Sequence, residues 1–147
     1  MPSPILRLFF AFAALIVLAG CTIDRSTADV TAGTDLRKVK VFYVVKLAPD
    51  ERGINNLIKT RLTELGYKAS TGPNNNIPEG TDVVVTYADK WMWDITMYML
   101  ELTITFREPD SSFPMAVGNS YHTSFSRLSP EEMVDEVLRK IFGEALS

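Results

Sequence analysis

The feature that most restricts the fold of this 147-residue chain is an apolar run near its start, which leads into the only cysteine. Residues 8–18 are eleven consecutive apolar residues, and Arg7 is the only charged side chain among the first twenty residues. A helix that spans a bilayer needs about 20 apolar residues, whereas the hydrophobic region of a signal peptide needs roughly 7–15. The run therefore predicts an export signal over residues 1–20, which would leave 127 residues to fold.

The four residues at the end of this signal match the bacterial lipobox, in which an aliphatic residue and two small residues precede a cysteine. They are Leu18, Ala19, Gly20 and Cys21. The match predicts cleavage between Gly20 and Cys21, a diacylglycerol on the cysteine sulfur and N-acylation of the new amino terminus. Two or three acyl chains give essentially permanent membrane attachment. The alternative is a buried cysteine in an apolar helix, which the position and length of the run disfavour.

Thr22 follows the predicted lipidation site. In enterobacteria-like sorting, an aspartate at this place retains a lipoprotein in the inner membrane. A threonine lacks that signal, so for a Gram-negative host we expect the outer membrane, with the protein facing the periplasm. Lipidation would also consume the only thiol, which removes it as a candidate nucleophile.

Composition excludes several classes of protein. With 46% hydrophobic and 10% aromatic residues, the chain can build a globular core, and its length fits one domain. One cysteine and one histidine exclude an internal disulfide framework and Cys/His zinc sites. A net charge of −3 gives no footprint for nucleic acid. No phosphate-binding loop, dinucleotide fingerprint or metal motif is present, so we expect no cofactor and no metal.

The chain after the signal divides into a tether and a domain. Residues 21–36 comprise the lipidated cysteine and a polar segment without apolar periodicity, which predicts a flexible tether. Residues 37–147 are expected to form a single domain. The sequence leaves the oligomeric state open.

The first half of the domain is predicted to begin with a central strand over Val39–Leu47, because its apolar residues fall on both faces. Asp50 is expected to N-cap an amphipathic helix that ends at Gly66. A short strand over residues 67–70 and a turn-rich loop over residues 71–80 follow.

Three further strands are predicted, over residues 82–88, 91–107 and 115–125, with a hairpin turn at residues 108–113. The apolar alternation of the second of them changes phase, which predicts a bulge or bend near residues 98–100. Ser129 and Glu132 form a capping box for a last helix that runs to about Ala145. The order of elements predicts an α+β fold: a single twisted, mostly antiparallel sheet of about five strands with two helices packed on one face.

Three short motifs resemble those of small bacterial outer-membrane lipoproteins that carry a domain of unknown function. They are Leu65-Gly66-Tyr67 at the end of the first helix, Asp82–Tyr87 in an apolar strand, and Trp91–Asp94 in the next segment. The resemblance implies the location and the α+β fold. No activity is established for this group, so the resemblance assigns no catalytic residue.

The candidate binding surface consists of Trp91, Trp93 and Asp94. In an extended chain the two indoles point to the same side, about 7 Å apart. They could cover an edge of the sheet, grip an envelope protein or stack on sugar rings. Large aromatic side chains are enriched in interface hot spots, so a protein interface leads the functional interpretations.

Enzymatic interpretations have weaker support. A glycosidase needs two carboxyl groups roughly 5–10 Å apart, and the nearest candidates in sequence are Asp89, Asp94, Glu101 and Glu108. The sequence does not pair them, and solvated carboxylates are the more common case.

The single histidine, His122, could act as a general base beside Ser120 or Ser124 on the same strand face. Side chains two residues apart on a strand point in parallel and seldom bond to each other, so we expect a surface histidine. The leading hypothesis is a membrane-anchored, non-catalytic binding or assembly module of the envelope. The alternative is a small hydrolase acting on peptidoglycan or another glycan.

Overall fold

The computed structural model describes residues 23–146 of the chain, with side chains up to residue 143. The predicted signal peptide, the cleavage site between Gly20 and Cys21, and the lipid on Cys21 lie outside the described residues. Within them, no helix has the length and apolarity needed to cross a bilayer.

Six strands form one mixed sheet in the order β1-β6-β5-β4-β2-β3. β2 pairs in parallel with β3 and β4, and the other neighbours are antiparallel. The strands are β1 (Arg25–Val30), β2 (Val41–Val45), β3 (Lys68–Gly72), β4 (Val83–Asp94), β5 (Thr96–Arg107) and β6 (Pro114–Tyr121), and the helices are α1 (Ile54–Glu64) and α2 (Pro130–Leu146). The predicted α+β class is confirmed, with one strand more than expected.

Both helices pack on the same face of the sheet, which we call the helix face. Their apolar stripes meet alternate strand residues, because successive strand side chains point to opposite faces. The largest fully buried side chains of this core include Phe42, Phe106, Ile58, Leu62, Leu138 and Ile141. The opposite, open face carries a small apolar cluster of Tyr43, Val45 and Val84.

Residues 25–30, which we expected in the flexible tether, form the edge strand β1, so the tether prediction is wrong for them. β1 pairs with β6, from Arg25 opposite Tyr121 to Val30 opposite Ala116. Its inward positions are half-buried, and two of them, Ala28 and Val30, pack against the core. Small side chains on an edge strand give no strong apolar period, which explains the error.

The predicted long strand over residues 91–107 is wrong at its start. Residues 91–94 end β4, and the chain reverses at Ile95 into β5. The predicted bulge is confirmed: Lys90 pairs with Glu101 and Trp91 pairs with Met99, so that Leu100 has no opposite residue on β4. The extra residue places Met99 and Leu102 together in the core, as the phase change indicated.

The predicted N-terminal caps of the two helices agree with the structure to different degrees. α1 begins at Ile54 with Gly53 as N-cap, so the Asp50 cap prediction is wrong. The Asp50 carboxylate instead accepts hydrogen bonds from the backbone amides of Arg52 and Gly53 before the helix and of Asn55 in its first turn. The capping box of α2 is confirmed by reciprocal bonds between Ser129 and Glu132, 3.2 and 2.8 Å long.

Candidate functional site at the hairpin tip

The β4–β5 hairpin extends beyond the rest of the sheet. A row of four paired residues crosses the sheet at the base of this extension: Lys90, Glu101, Tyr121 and Arg25. β6 ends and β1 begins at this row. β4 and β5 continue beyond it as a two-stranded finger. We call residues 91–97 the hairpin tip.

The hairpin tip presents large apolar side chains to solvent. Trp93 is 70% exposed and Ile95 is 87% exposed, and Met92 and Met97 are also exposed. Trp93 and Met97 are direct cross-strand partners, so they form one continuous apolar surface. Monomeric proteins rarely leave such contiguous apolar surface uncovered, which marks the tip as the candidate binding site.

The backbone at the turn is strained. Ile95 has φ 62°, in the left-handed region that a β-branched residue rarely adopts. For a side chain of this kind the conformation costs about 1–2 kcal/mol, and glycine or asparagine would reduce that cost. An isoleucine that is both strained and exposed adds nothing to the stability of the isolated fold, which suggests a role in binding.

The two tryptophans lie on the same side of β4 but in different environments. Trp91 is half-buried against the core, and its Nε1–H donates a 2.6 Å hydrogen bond to Oδ2 of Asp89. The guanidinium of Arg52 lies 3.9 Å from the centre of its ring, a cation–π contact. Trp91 therefore covers the edge of the core, while Trp93 is available to a partner. Asp94, the third predicted residue, is exposed at the turn opposite Thr96.

A buried hydrogen bond holds the loop that supports Trp91. Tyr87 of β4 donates a 2.6 Å bond to Oδ2 of Asp50, whose other oxygen accepts from the amide of Arg52. Burial alone raises the pKa of Asp50, but the bonds from Tyr87 and the loop amides outweigh it, so the pKa lies below its ordinary value. Burial and the neighbouring carboxylate raise the pKa of Tyr87.

The four candidate carboxylates do not converge. Asp89 bonds to the Trp91 indole on the helix face, whereas Glu101 lies on the open face and accepts a 2.9 Å bond from Asn119. Glu108 is at the far end of β5, where it bonds to Ser111. In the described part of the chain, no three His, Cys, Asp or Glu side chains are grouped to hold a metal.

His122 is buried, so the expectation of a surface histidine is wrong. Its Nε2 lies 2.9 Å from Oε2 of Glu136 on α2, and the same oxygen accepts a 2.5 Å bond from the Ser120 hydroxyl. The two side chains do not bond to each other but share this carboxylate. Ser124 is outside the group, and its carbonyl accepts a bond from Arg127.

Several side chains at the site carried no functional signal in the sequence. Arg52, Ile95 and Phe125 are far apart in sequence, and the fold brings them to the same end of the sheet.

A separate open groove with a volume of about 730 Å³ lies where β2 and β3 end, lined by Val45, Lys46, Leu47, Pro73 and Asn74 among others. For this region the sequence predicts only a turn-rich loop over residues 71–80.

No protein-family model and no curated protein matches the chain. The fold is similar to that of PelC from Paraburkholderia phytofirmans. A structure of that PelC dodecamer aligns with a TM-score of 0.60 and 15% identity, over 80% of this chain and 98% of that one. A dodecamer of a point variant aligns with a TM-score of 0.56 and 16% identity, over 79% and 97% of the two chains. At these identities the likeness concerns the fold alone.

Proposed function

We propose that the chain is a lipoprotein of the bacterial envelope, anchored through acyl chains on Cys21, that acts as a non-catalytic binding or assembly module. The lipobox and the apolar run before it support the anchor, and Thr22 favours the outer membrane with the domain in the periplasm. The strand β1 begins only four residues after Cys21. The anchored domain would therefore sit close to the lipid surface.

One observation carries the binding role: the hairpin tip exposes Trp93 and Ile95 on a finger that projects from the sheet. The side chains that could have formed a catalytic group are used elsewhere. His122 and Glu136 bond to each other at the sheet–helix interface, and Asp89 holds Trp91. The tip therefore supports binding better than catalysis.

Self-association is one form that the assembly role could take, because the similar PelC structures are described as dodecamers. We propose that this chain also forms oligomers. Sedimentation of the lipidated protein in detergent tests the proposal. A mass of several protomers is expected, and a monomer over the accessible concentration range would contradict it.

Metabolic labelling with radioactive palmitate tests the anchor. We expect label on the wild-type protein and none on Cys21→Ser. Labelling of that variant, or an unlabelled wild-type protein, would contradict a lipid anchor at this residue.

A photocrosslinking amino acid in place of Trp93 tests the binding surface in intact envelopes. We expect it to capture an envelope component efficiently. The control replaces Phe113, an exposed aromatic at the opposite end of β5 and β6. Equal and low capture at both positions would contradict a binding role for the tip.

A further inference from the structure

We propose that the hairpin tip is a membrane-contact element that inserts shallowly into the lipid surface beside the acyl chains of Cys21. The inference rests on the proposed lipid anchor and specifies what the tip binds, which is the bilayer. It follows from where the exposed apolar side chains lie, how far the anchor can reach, and which charges surround the tip.

The exposed apolar side chains concentrate at one end of the molecule. Among the described side chains, seven large hydrophobics are exposed, and six of them lie beyond the row of paired residues at the base of the tip: Ile23, Met92, Trp93, Ile95, Met97 and Phe125. Phe125 belongs to the loop after β6, which reaches the tip through a 2.8 Å bond from Arg127 to Thr96. The seventh, Phe113, is at the opposite end.

The described chain begins at the same end, so the predicted anchor is within a short reach of it. Arg25 belongs to the row at the base of the tip, and β1 runs in the same direction as β5, because each is antiparallel to β6. Cys21 precedes Arg25 by four residues, which span about 13 Å in an extended chain. Ile95 lies five residues beyond Lys90 of the same row, or about 17 Å. A bilayer that receives the acyl chains is therefore within reach of the tip.

The charges around the tip suit a lipid surface. Arg25, Arg52, Lys90 and Arg127 are exposed close to the base of the finger, on both faces of the sheet. Tryptophan favours the interface between headgroups and acyl chains, and basic side chains favour the level of the phosphates. Asp94 is exposed within the tip and is costly to bury, so the insertion is shallow.

A bilayer explains the shape of the surface better than a protein partner does. The apolar residues lie on both faces of a narrow finger and at its end, with Met92 on the open face and Trp93 on the helix face. A protein partner would need a pocket that surrounds the finger, whereas a lipid surface contacts all sides of it at once.

Fluorescence of the full-length lipidated protein tests the proposal in vesicles of phosphatidylethanolamine and phosphatidylglycerol with brominated acyl chains. The chain has two tryptophans, so Trp91→Phe leaves Trp93 as the only one. We expect a blue shift of its emission and strong quenching by the bromines. The matched control, Trp93→Phe, leaves Trp91, for which quenching should be much weaker. Emission from Trp93 that stays red-shifted and unquenched would overturn the proposal.

A second pair of variants keeps the test valid if Trp91→Phe fails to fold. An environment-sensitive dye on Ile95→Cys should brighten in the same vesicles, and the dye on Phe113→Cys should not. Equal response of the two dyes contradicts insertion of the tip. If palmitate labels Cys21 but the dye on residue 95 stays in water, the anchor stands and the tip proposal fails.

The effect of removing the charge of Asp94 distinguishes a lipid surface from a protein partner. Removing it with Asp94→Asn should deepen insertion, seen as stronger quenching of Trp93 in vesicles that contain phosphatidylglycerol. Unchanged or weaker quenching contradicts the bilayer as the occupant. Photocrosslinking from residue 93 to a protein in place of lipid would also overturn the proposal.

Discussion

The hydroxyl of Tyr87 donates a 2.6 Å hydrogen bond to the carboxylate of Asp50, and both side chains are buried. This bond joins the middle of β4 to the loop before α1. The same loop carries Arg52, which stacks on Trp91 at the base of the hairpin tip. The position of the tip therefore depends on a polar contact inside the molecule.

Removing this hydrogen bond should destabilise the fold. We expect Tyr87→Phe to lower the free energy of unfolding by about 1–3 kcal/mol, because a buried carboxylate loses a donor. Urea denaturation measures the change. Tyr121→Phe is the control, since that half-buried ring lies under Arg25 and keeps this contact in the variant, and its loss should be near zero. Equal losses in the two variants would contradict the role of the bond.

The lowered pKa of Asp50 makes stability depend on acid pH. Because the pKa is lower in the folded state than the ordinary 3.8, the ionised carboxylate stabilises the fold above that value. This contribution should disappear as the pH falls through the folded-state pKa. Urea denaturation between neutral and strongly acidic pH should show a steeper loss for the wild-type protein than for Asp50→Asn. Equal slopes for the two proteins would contradict the stabilising role of the ionised Asp50.

The strained Ile95 should lower the stability of the fold while it strengthens binding by the tip. We expect Ile95→Asn to raise the free energy of unfolding by about 1 kcal/mol, since asparagine adopts positive φ more readily. The same substitution should weaken contact of the tip with lipid vesicles. The control is Ile23→Asn, another exposed isoleucine outside the turn, for which no gain is expected. A loss of stability in Ile95→Asn would show that the side chain packs favourably.

The contact between β6 and α2 leaves no room for a side chain at Gly118. A Cβ there would lie 2.7 Å from Val137 and 2.8 Å from Ile141, so we expect Gly118→Ala to cost about 1–3 kcal/mol. In α2, a Cβ at Gly143 would meet nothing within 4 Å, and Gly143→Ala should stabilise by about 0.5–1 kcal/mol. Thermal unfolding of both variants tests the pair, and shifts of the same sign would contradict this packing.

The sequence predicted the elements that bury a strong apolar pattern. The sequence of β2, of both helices and of the region around the bulge at Leu100 has a periodic apolar pattern, because the apolar residues face the core. β1 has only a weak apolar pattern, since its inward positions are small residues on an edge strand. The reversal at Ile95 carries no glycine, proline or asparagine, so the pattern assigns residues 91–94 to the second strand of the hairpin, whereas they end the first.

The candidate site was predicted only in part. Trp93 and Asp94 are exposed at the tip, as a binding surface requires, but Trp91 is half-buried and supports the fold. His122 was placed at the surface because its partner, Glu136, is on a helix that the sequence does not place opposite it. Contacts of this kind depend on how distant elements pack, which local patterns do not encode.

Mass spectrometry of the amino-terminal peptide of the mature protein, purified from membranes, tests the central claim most directly. If the chain is anchored as proposed, the peptide begins at Cys21 and carries the mass of a diacylglyceryl group with an added acyl chain. An unmodified Cys21, or a mature chain that still begins at Met1, would contradict the lipid anchor and the membrane-facing hairpin tip that depends on it.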